Sequence, residues 1–197
     1  MANRTVSDAR AIHGTNPQFL IEKITRSRIY DSLYWKKECF ALTMETLLDK
    51  AVDLPCIGGT YGNQKPTEFL CLALKMLQLQ PSKDIVLELL RDPDFKYLRA
   101  LAAFYLRLTG NTKEVYTELE VLYKDYRKLR ERSPTGDYFI THMDEFIDQL
   151  LREERVCSTT LPHLTKRHIL EENDQLLPYH SPLENALSAS DVSEPEE

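Results

Sequence analysis

The residues that could do chemistry fall into four groups. The first is the run Gly58-Gly59-x-Tyr61-Gly62-x-x-Lys65, a glycine-rich loop that precedes a helical stretch and invites comparison with a phosphate cradle. The spacing is wrong for one. Pro66 separates Lys65 from Thr67, and no strand precedes the glycines, whereas a phosphate loop needs strand, loop and helix together. The loop reads instead as a tight structural turn or a partner-facing one. The second group is the histidines. His163 and His168 stand five apart and do not share a helix face as an i,i+4 metal pair would. The third is the cysteines Cys39, Cys56, Cys71 and Cys157, far apart and without a C-x-x-C pair. They read as small core residues of a chain kept in a reducing, intracellular compartment. The fourth is the basic run Lys124 to Arg132, which could contact RNA. Asp125 and Glu131 dilute its charge, and the plainer reading is a solvated face at a helix C-terminus. These groups yield no catalytic, cofactor-binding or metal-binding residue and show no visible active site, which by itself names no function.

The elements that would position them are helices. The stretch Asp94 to Gly110 is apolar almost all the way round, with Phe95, Leu98, Leu101, Phe104, Tyr105, Leu106 and Leu108 leaving one narrow gap. A helix apolar on nearly every face is a buried one. Its gap holds Lys96, Arg99 and Arg107, which fall within about 80° of one another on a helical wheel. This stretch is therefore expected to be the central strut of the domain, its basic stripe emerging between neighbouring helices to meet water or a partner. Pro93 suits the first turn and Gly110 a left-handed exit.

The other elements follow in order. Asn16-Pro17 opens a long helical segment with breaks expected near Ser27 and Thr43. Residues 54–66 are irregular, Glu68 begins a second mostly apolar helix, and Ser82 caps a short third one. Asn111 caps an amphipathic helix expected to run to about Arg132. Ser133-Pro-Thr-Gly136 is a turn, and the alternation in the residues after it allows one short β-hairpin near 130–141. Thr141 opens a helix that carries Asp144, Glu145 and Asp148, and Asp148 pairs with Arg152. A last helix is expected from Leu161-Pro162 to about Glu172.

The fold class is therefore all-α, a single multi-helix globular domain over 16–172. Residues 1–15 form a disordered N-terminus and residues 173–197 a disordered acidic tail. The chain of 197 residues is long enough for a sizeable core. Its net charge of -6 is unevenly placed: eight acids and no Lys or Arg lie from Ile169 onward, leaving 25 bases against 23 acids before it. There is no apolar run long enough for a membrane helix and no apolar signal-peptide core.

One resemblance adds to this. The stretch Asn16 to Phe40, NPQFLIEKITRSRIYDSLYWKKECF, is similar to the opening of the pre-mRNA-splicing factor 38 family. The similarity continues through Gly58-Gly59-Thr-Tyr61-Gly62, Lys65 to Leu72, Asp94 to Arg99 and Arg107 to Gly110. It also takes in Tyr123 to Lys128, His142 to Asp148 and Glu154 to Cys157, so that it covers roughly residues 12–172. The resemblance implies a nuclear, non-enzymatic protein-interaction scaffold of the precatalytic spliceosome, needed for its activation in pre-mRNA splicing. It implies as partners a microfibrillar-associated-type splicing factor and a zinc-finger protein of the tri-snRNP, both docking through charged helical segments. RNA would be met only within the assembled particle, and the domain would be a monomer. Many members carry an Arg/Ser-rich tail after an acidic linker. Candidate partner-binding residues are the stripe Lys96, Arg99 and Arg107, the helix face Asp144, Glu145 and Asp148, and the loop residues Gly58, Gly59 and Tyr61. The alternative is an RNA-binding helical domain that contacts snRNA directly.

Overall fold

The computed structural model describes residues 3–179. The chain divides into two compact units, Met1–Leu164 and Thr165–Glu197. In the first, two nearly all-buried helices form the centre: α3, Glu68–Leu79, and α5, Lys96–Thr109. Around them pack α1 (Lys23–Asp31), α2 (Met44–Val52), α4 (Lys83–Arg91), α6 (Thr112–Leu119) and α7 (Met143–Arg152). Phe69 of α3 lies 5.6 Å from Phe104 of α5 and 6.4 Å from Phe146 of α7, centroid to centroid, so one aromatic cluster joins three helices. Among the described residues the fold is mostly helical with three short antiparallel hairpins: β1 (Thr60–Tyr61) with β2 (Lys65–Pro66), β3 (Lys128–Arg132) with β4 (Tyr138–His142), and β5 (Arg155–Val156) with β6 (Thr159–Thr160).

Local chemistry sets the boundaries. Thr43, Thr67 and Asn111 each cap their helix through a side-chain oxygen that accepts a backbone N–H. Asn16 does the same for Pro17–Leu20, but this is a 3-10 turn and not the start of a long helix. The first helix runs through Ser27 and stops at Ser32. There the Ser32 hydroxyl donates to the Ile29 carbonyl at 2.7 Å and accepts the Trp35 N–H, turning the chain into a π turn at Trp35–Cys39. Before α5, Pro93 lies outside the helix, whose first residue is Lys96. Gly110 is extended (φ -75, ψ 159) and not left-handed. What requires glycine there is space: a Cβ would sit 2.8 Å from the Leu106 carbonyl oxygen and 3.2 Å from Val115 Cγ2.

The expected helix from Asn111 to Arg132 is three elements. After α6 the chain tightens into a 3-10 turn, Glu120–Lys124, and from Lys128 it is a strand. Asp125 ends the helical part, its carboxylate accepting the backbone N–H of Arg127 at 3.2 Å. Tertiary pairing then fixes β3 on both sides. Leu129 lies opposite Thr141 and Glu131 opposite Phe139, while Ile57 bridges β3 from the other edge.

Residues 3–15, read from sequence as structureless, are tied to the body. Val6 N–H donates to Gln78 O at 3.0 Å, the Gln80 side chain exchanges two hydrogen bonds with the Arg10 backbone, and Trp35 Nε1 donates to Asn3. In the second unit α8 is short, Arg167–Glu172, because residues 159–160 are spent in β6 and the chain is irregular from Leu161 to Lys166. Arg167 pairs with Glu171 and donates to the Leu177 carbonyl within this unit. Of the expected acidic tail, residues 180–197 lie outside the described residues.

Candidate docking clefts

Two clefts flank the Glu120–Lys124 turn. The first, about 640 Å³, lies between that turn, β4 and the opening turns of α7. It holds Asp144, Glu145 and Asp148, of which Glu145 and Asp144 stand three and four residues before Asp148 and so share its side of the helix. Its apolar side is Phe139 and Ile140, 46% and 66% exposed.

Each acid here has a different state. Glu145 Oε2 accepts from the Thr141 hydroxyl at 2.9 Å, the His142 N–H at 2.8 Å and His142 Nδ1 at 3.2 Å, completing a capping box at the start of α7. Those bonds, that from Thr141 first, hold its carboxyl below the usual range. Asp148 Oδ1 accepts from the Tyr123 hydroxyl at 3.0 Å and from Arg152 Nε at 2.8 Å. Burial, and then this carboxylate, push the Tyr123 hydroxyl pKa up. Asp144 Oδ1 is out of water and has no hydrogen-bond partner in the fold. The cleft is thus an acid-rimmed hollow with one spare carboxylate oxygen and two exposed apolar side chains. Phe139, Ile140 and Tyr123 were not singled out from the sequence. The available signal was the pair Phe139-Ile140 itself: neighbours on a strand point to opposite faces, so two adjacent apolar residues cannot both be buried under one face.

The second cleft, about 670 Å³, lies between α4, α6 and the same turn, and Arg99 lines it. The basic stripe does not emerge as expected. Arg99 is 9% exposed and Arg107 4% exposed. Arg99 donates to the Asp92 carbonyl at 3.0 Å, the Arg91 carbonyl at 3.0 Å and Asp125 Oδ2 at 2.7 Å. Asp125 also accepts from Arg127 at 2.8 and 2.6 Å. Burial would raise its carboxyl pKa, but the hydrogen bonds from Arg127 and Arg99 outweigh this and hold it at about 2. Arg107 donates to the Leu150 carbonyl at 2.7 Å, and burial lowers its pKa to about 10. Lys96, half-buried, donates to the Lys128 carbonyl at 2.7 Å. The physical reason is common to all three. Each cation sits opposite backbone carbonyls that helix ends and strand edges leave unpaired, and a charged donor satisfies them strongly.

Gly58 and Gly59 are likewise turned inward. A Cβ on Gly59 would lie 2.3 Å from the Cys157 carbonyl carbon, and one on Gly58 would lie 2.9 Å from the Arg132 carbonyl oxygen. The Gly58 carbonyl accepts the Thr67 hydroxyl at 2.6 Å, and Thr60 N–H donates to the Ser158 hydroxyl at 3.0 Å. At Gly58 and Gly59 the loop is a packing junction, while Gly62 faces open space. Tyr61 is half-buried under the Arg132 guanidinium, 3.4 Å from its ring centre. The four cysteines are free thiols. Burial pushes Cys39 up to about 12 and moves Cys56, Cys71 and Cys157 in the same direction, so they stay protonated.

Comparison with known proteins places this geometry. The family described as the PRP38 family matches residues 10–174. The chain is 57% identical over 195 residues to pre-mRNA-splicing factor 38A of Xenopus tropicalis, covering 98% of this chain and 62% of that protein. It is 60% identical over 188 residues to pre-mRNA-splicing factor 38 of Drosophila melanogaster, covering 95% and 57%. It is 58% identical over 185 residues to pre-mRNA-splicing factor 38A of Homo sapiens, covering 93% and 59%. The chain therefore spans about three fifths of the length of these relatives. Among solved structures, a chain of the Snu23-Prp38-MFAP1(217-258) complex of Chaetomium thermophilum superposes with a TM-score of 0.86 at 47% identity, covering 94% of this chain and 98% of that one. A family match over most of the body, joined to relatives well above half identical, means that this chain belongs to the PRP38 family.

Proposed function

We propose that the chain is a non-enzymatic protein-interaction scaffold of the spliceosome, acting in the nucleus in the activation step of pre-mRNA splicing. The names of its relatives support the process, and the solved complex supports the mode, since a similar chain there is bound to two other proteins. Partners of the same two kinds are proposed for this chain: a microfibrillar-associated-type splicing factor and the zinc-finger protein of the tri-snRNP. The observation that carries the reading is the acid-rimmed cleft, where exposed Phe139 and Ile140 lie beside Asp144, Glu145 and Asp148. Apolar contact flanked by one sign of charge suits an amphipathic segment rich in Lys or Arg. Arg99 and Arg107 would support docking from inside the fold and not by touching a partner.

The test is calorimetric titration of a peptide equivalent to the MFAP1(217-258) segment, and separately of the zinc-finger protein, into the chain. Asp144→Arg with Asp148→Arg should weaken one of the two by about tenfold or more, because reversal sets like charges against each other. Unchanged affinity for both partners, with the melting temperature preserved, would move docking away from this cleft.

A further inference from the structure

We infer that the outer face of the β3–β4 hairpin is a binding platform for single-stranded RNA, a surface that meets the acid-rimmed cleft at Ile140 but carries its cations on the other strand. The strand register makes it. Alternate residues share a face, so Lys128, Arg130 and Arg132 of β3 lie on one side, opposite His142, Ile140 and Tyr138 of β4. The other side carries Leu129 and Thr141 into the core. On the outer side Lys128, Arg130, Tyr138 and Ile140 are exposed.

The two acids that interrupt this basic run in the sequence are removed from the face. Asp125 is drawn inward by Arg99 and Arg127. Glu131 points to the opposite side, half-buried, its Oε2 without a hydrogen-bond partner. Three cations therefore line one strand face with no carboxylate between them, and Lys96 reaches the Lys128 end. Asp137 stands in the turn of the hairpin, accepting from Thr135, and Glu145 at its base, accepting from Thr141 and His142.

Aromatic rings alternate with the cations. The Arg132 guanidinium lies 3.4 Å from the Tyr61 ring centre and 5.1 Å from that of Tyr138, and Arg130 lies 5.6 Å from Tyr138. The result is a ladder of flat groups, Tyr61, Arg132, Tyr138 and Arg130, whose open end is solvent-exposed. Bases stack on such planes while cations in a row hold the phosphates. Alternate strand positions recur at about 6.8 Å, so the three same-face cations span about 14 Å of track, enough for a few unpaired nucleotides. An acidic amphipathic helix fits this face less well, because Ile140 is the one aliphatic side chain on it.

The experiment is fluorescence anisotropy of a fluorescein-labelled oligouridylate titrated with the whole chain at several salt concentrations. Binding should weaken with salt at a log–log slope of about -2, three cations at ~0.7 each for a single strand. Lys128→Glu with Arg130→Glu should weaken binding by about tenfold or more and flatten the slope. Tyr138→Ala should weaken it by about fivefold or more at unchanged slope, as loss of a stacking plane does. Both variants are at exposed positions and should melt with the native protein. Asp144→Arg with Asp148→Arg should leave RNA binding intact or tighten it, which separates this surface from the docking cleft. The inference is overturned if the oligouridylate gives no anisotropy change at low salt. It is also overturned if the charge reversal leaves affinity and slope as they were, or if polyglutamate binds as tightly as RNA and Tyr138→Ala changes neither.

Discussion

Arg107 on α5 donates its Nε hydrogen to the Leu150 carbonyl of α7 at 2.7 Å, from a position almost wholly out of water. The bond ties the central helix to the last turn of its neighbour, whose carbonyls have no helical partner. Arg107→Ala should therefore destabilise the body by about 2–4 kcal/mol, through lost packing and an unpaired carbonyl. For a chain of this size that is a fall of roughly 4–16 °C in melting temperature, read by thermal unfolding. A shift under a degree would show that the bond contributes little.

Asp125 gives the fold an acid limit. Its carboxyl is held at about 2 by Arg127 and Arg99, against an unfolded value of about 3.9. A folded pKa below the unfolded one adds stability that is fully present above about pH 4 and is lost as pH falls towards 2. The contribution is on the order of 2 kcal/mol. Asp125→Asn should lower stability at neutral pH and flatten the pH dependence in that window, as measured by urea unfolding at stepped pH.

Glu131 works in the opposite sense. Burial first, and Glu153 second, raise its carboxyl pKa, so the folded state holds the ionised form at a cost. A raised acid pKa means that stability falls as pH rises through the window above the unfolded value, about 4.3, and stays lower at neutral pH. Glu131→Gln should raise the melting temperature at pH 7, and the gain should vanish below about pH 4. Equal gains at both pH values would point to packing instead of charge.

Gly110 distinguishes space from handedness. With φ at -75, the position asks for no left-handed residue, but a Cβ meets the Leu106 carbonyl oxygen at 2.8 Å. Gly110→Ala should cost about 1–3 kcal/mol, and Gly110→Asn should be no better tolerated. If Asn were clearly the milder change in a melting series, the left-handed reading would be right after all.

Much of the fold was legible from local chemistry. The apolar circumference of residues 98–108 marks a buried helix, and the caps at Thr43 and Asn111 act where a side-chain oxygen before an apolar run suggests, whereas Ser82 makes no side-chain cap bond. What failed depended on distant partners. Leu122 and Leu129 fit a helical period, but Ile57 pairs with β3 from far along the chain and makes the second of them a strand residue. Cys157 and Ser158 both take positive φ, 49 and 58, and fold a hairpin without any glycine to announce it. The same limit applied to the candidate site. Asp144, Glu145 and Asp148 are visible as one helix face, whereas the inward turn of Arg99 and Arg107 depends on carbonyls that only the assembled structure supplies.

The contact between Thr60 and Ser158 spans 98 residues of sequence. Until the Cys157–Ser158 turn has been made, Gly59 and Thr60 lack the surface they close against, and Gly58 and Ile57 lack β3 until residue 132 exists. Such long closures are entropically expensive and slow. On a ribosome, α1 to α5 emerge with one side of the loop uncovered, and the body completes itself only when its last hairpin leaves the exit tunnel. The order of synthesis thus makes the β5–β6 hairpin the latch on the glycine loop.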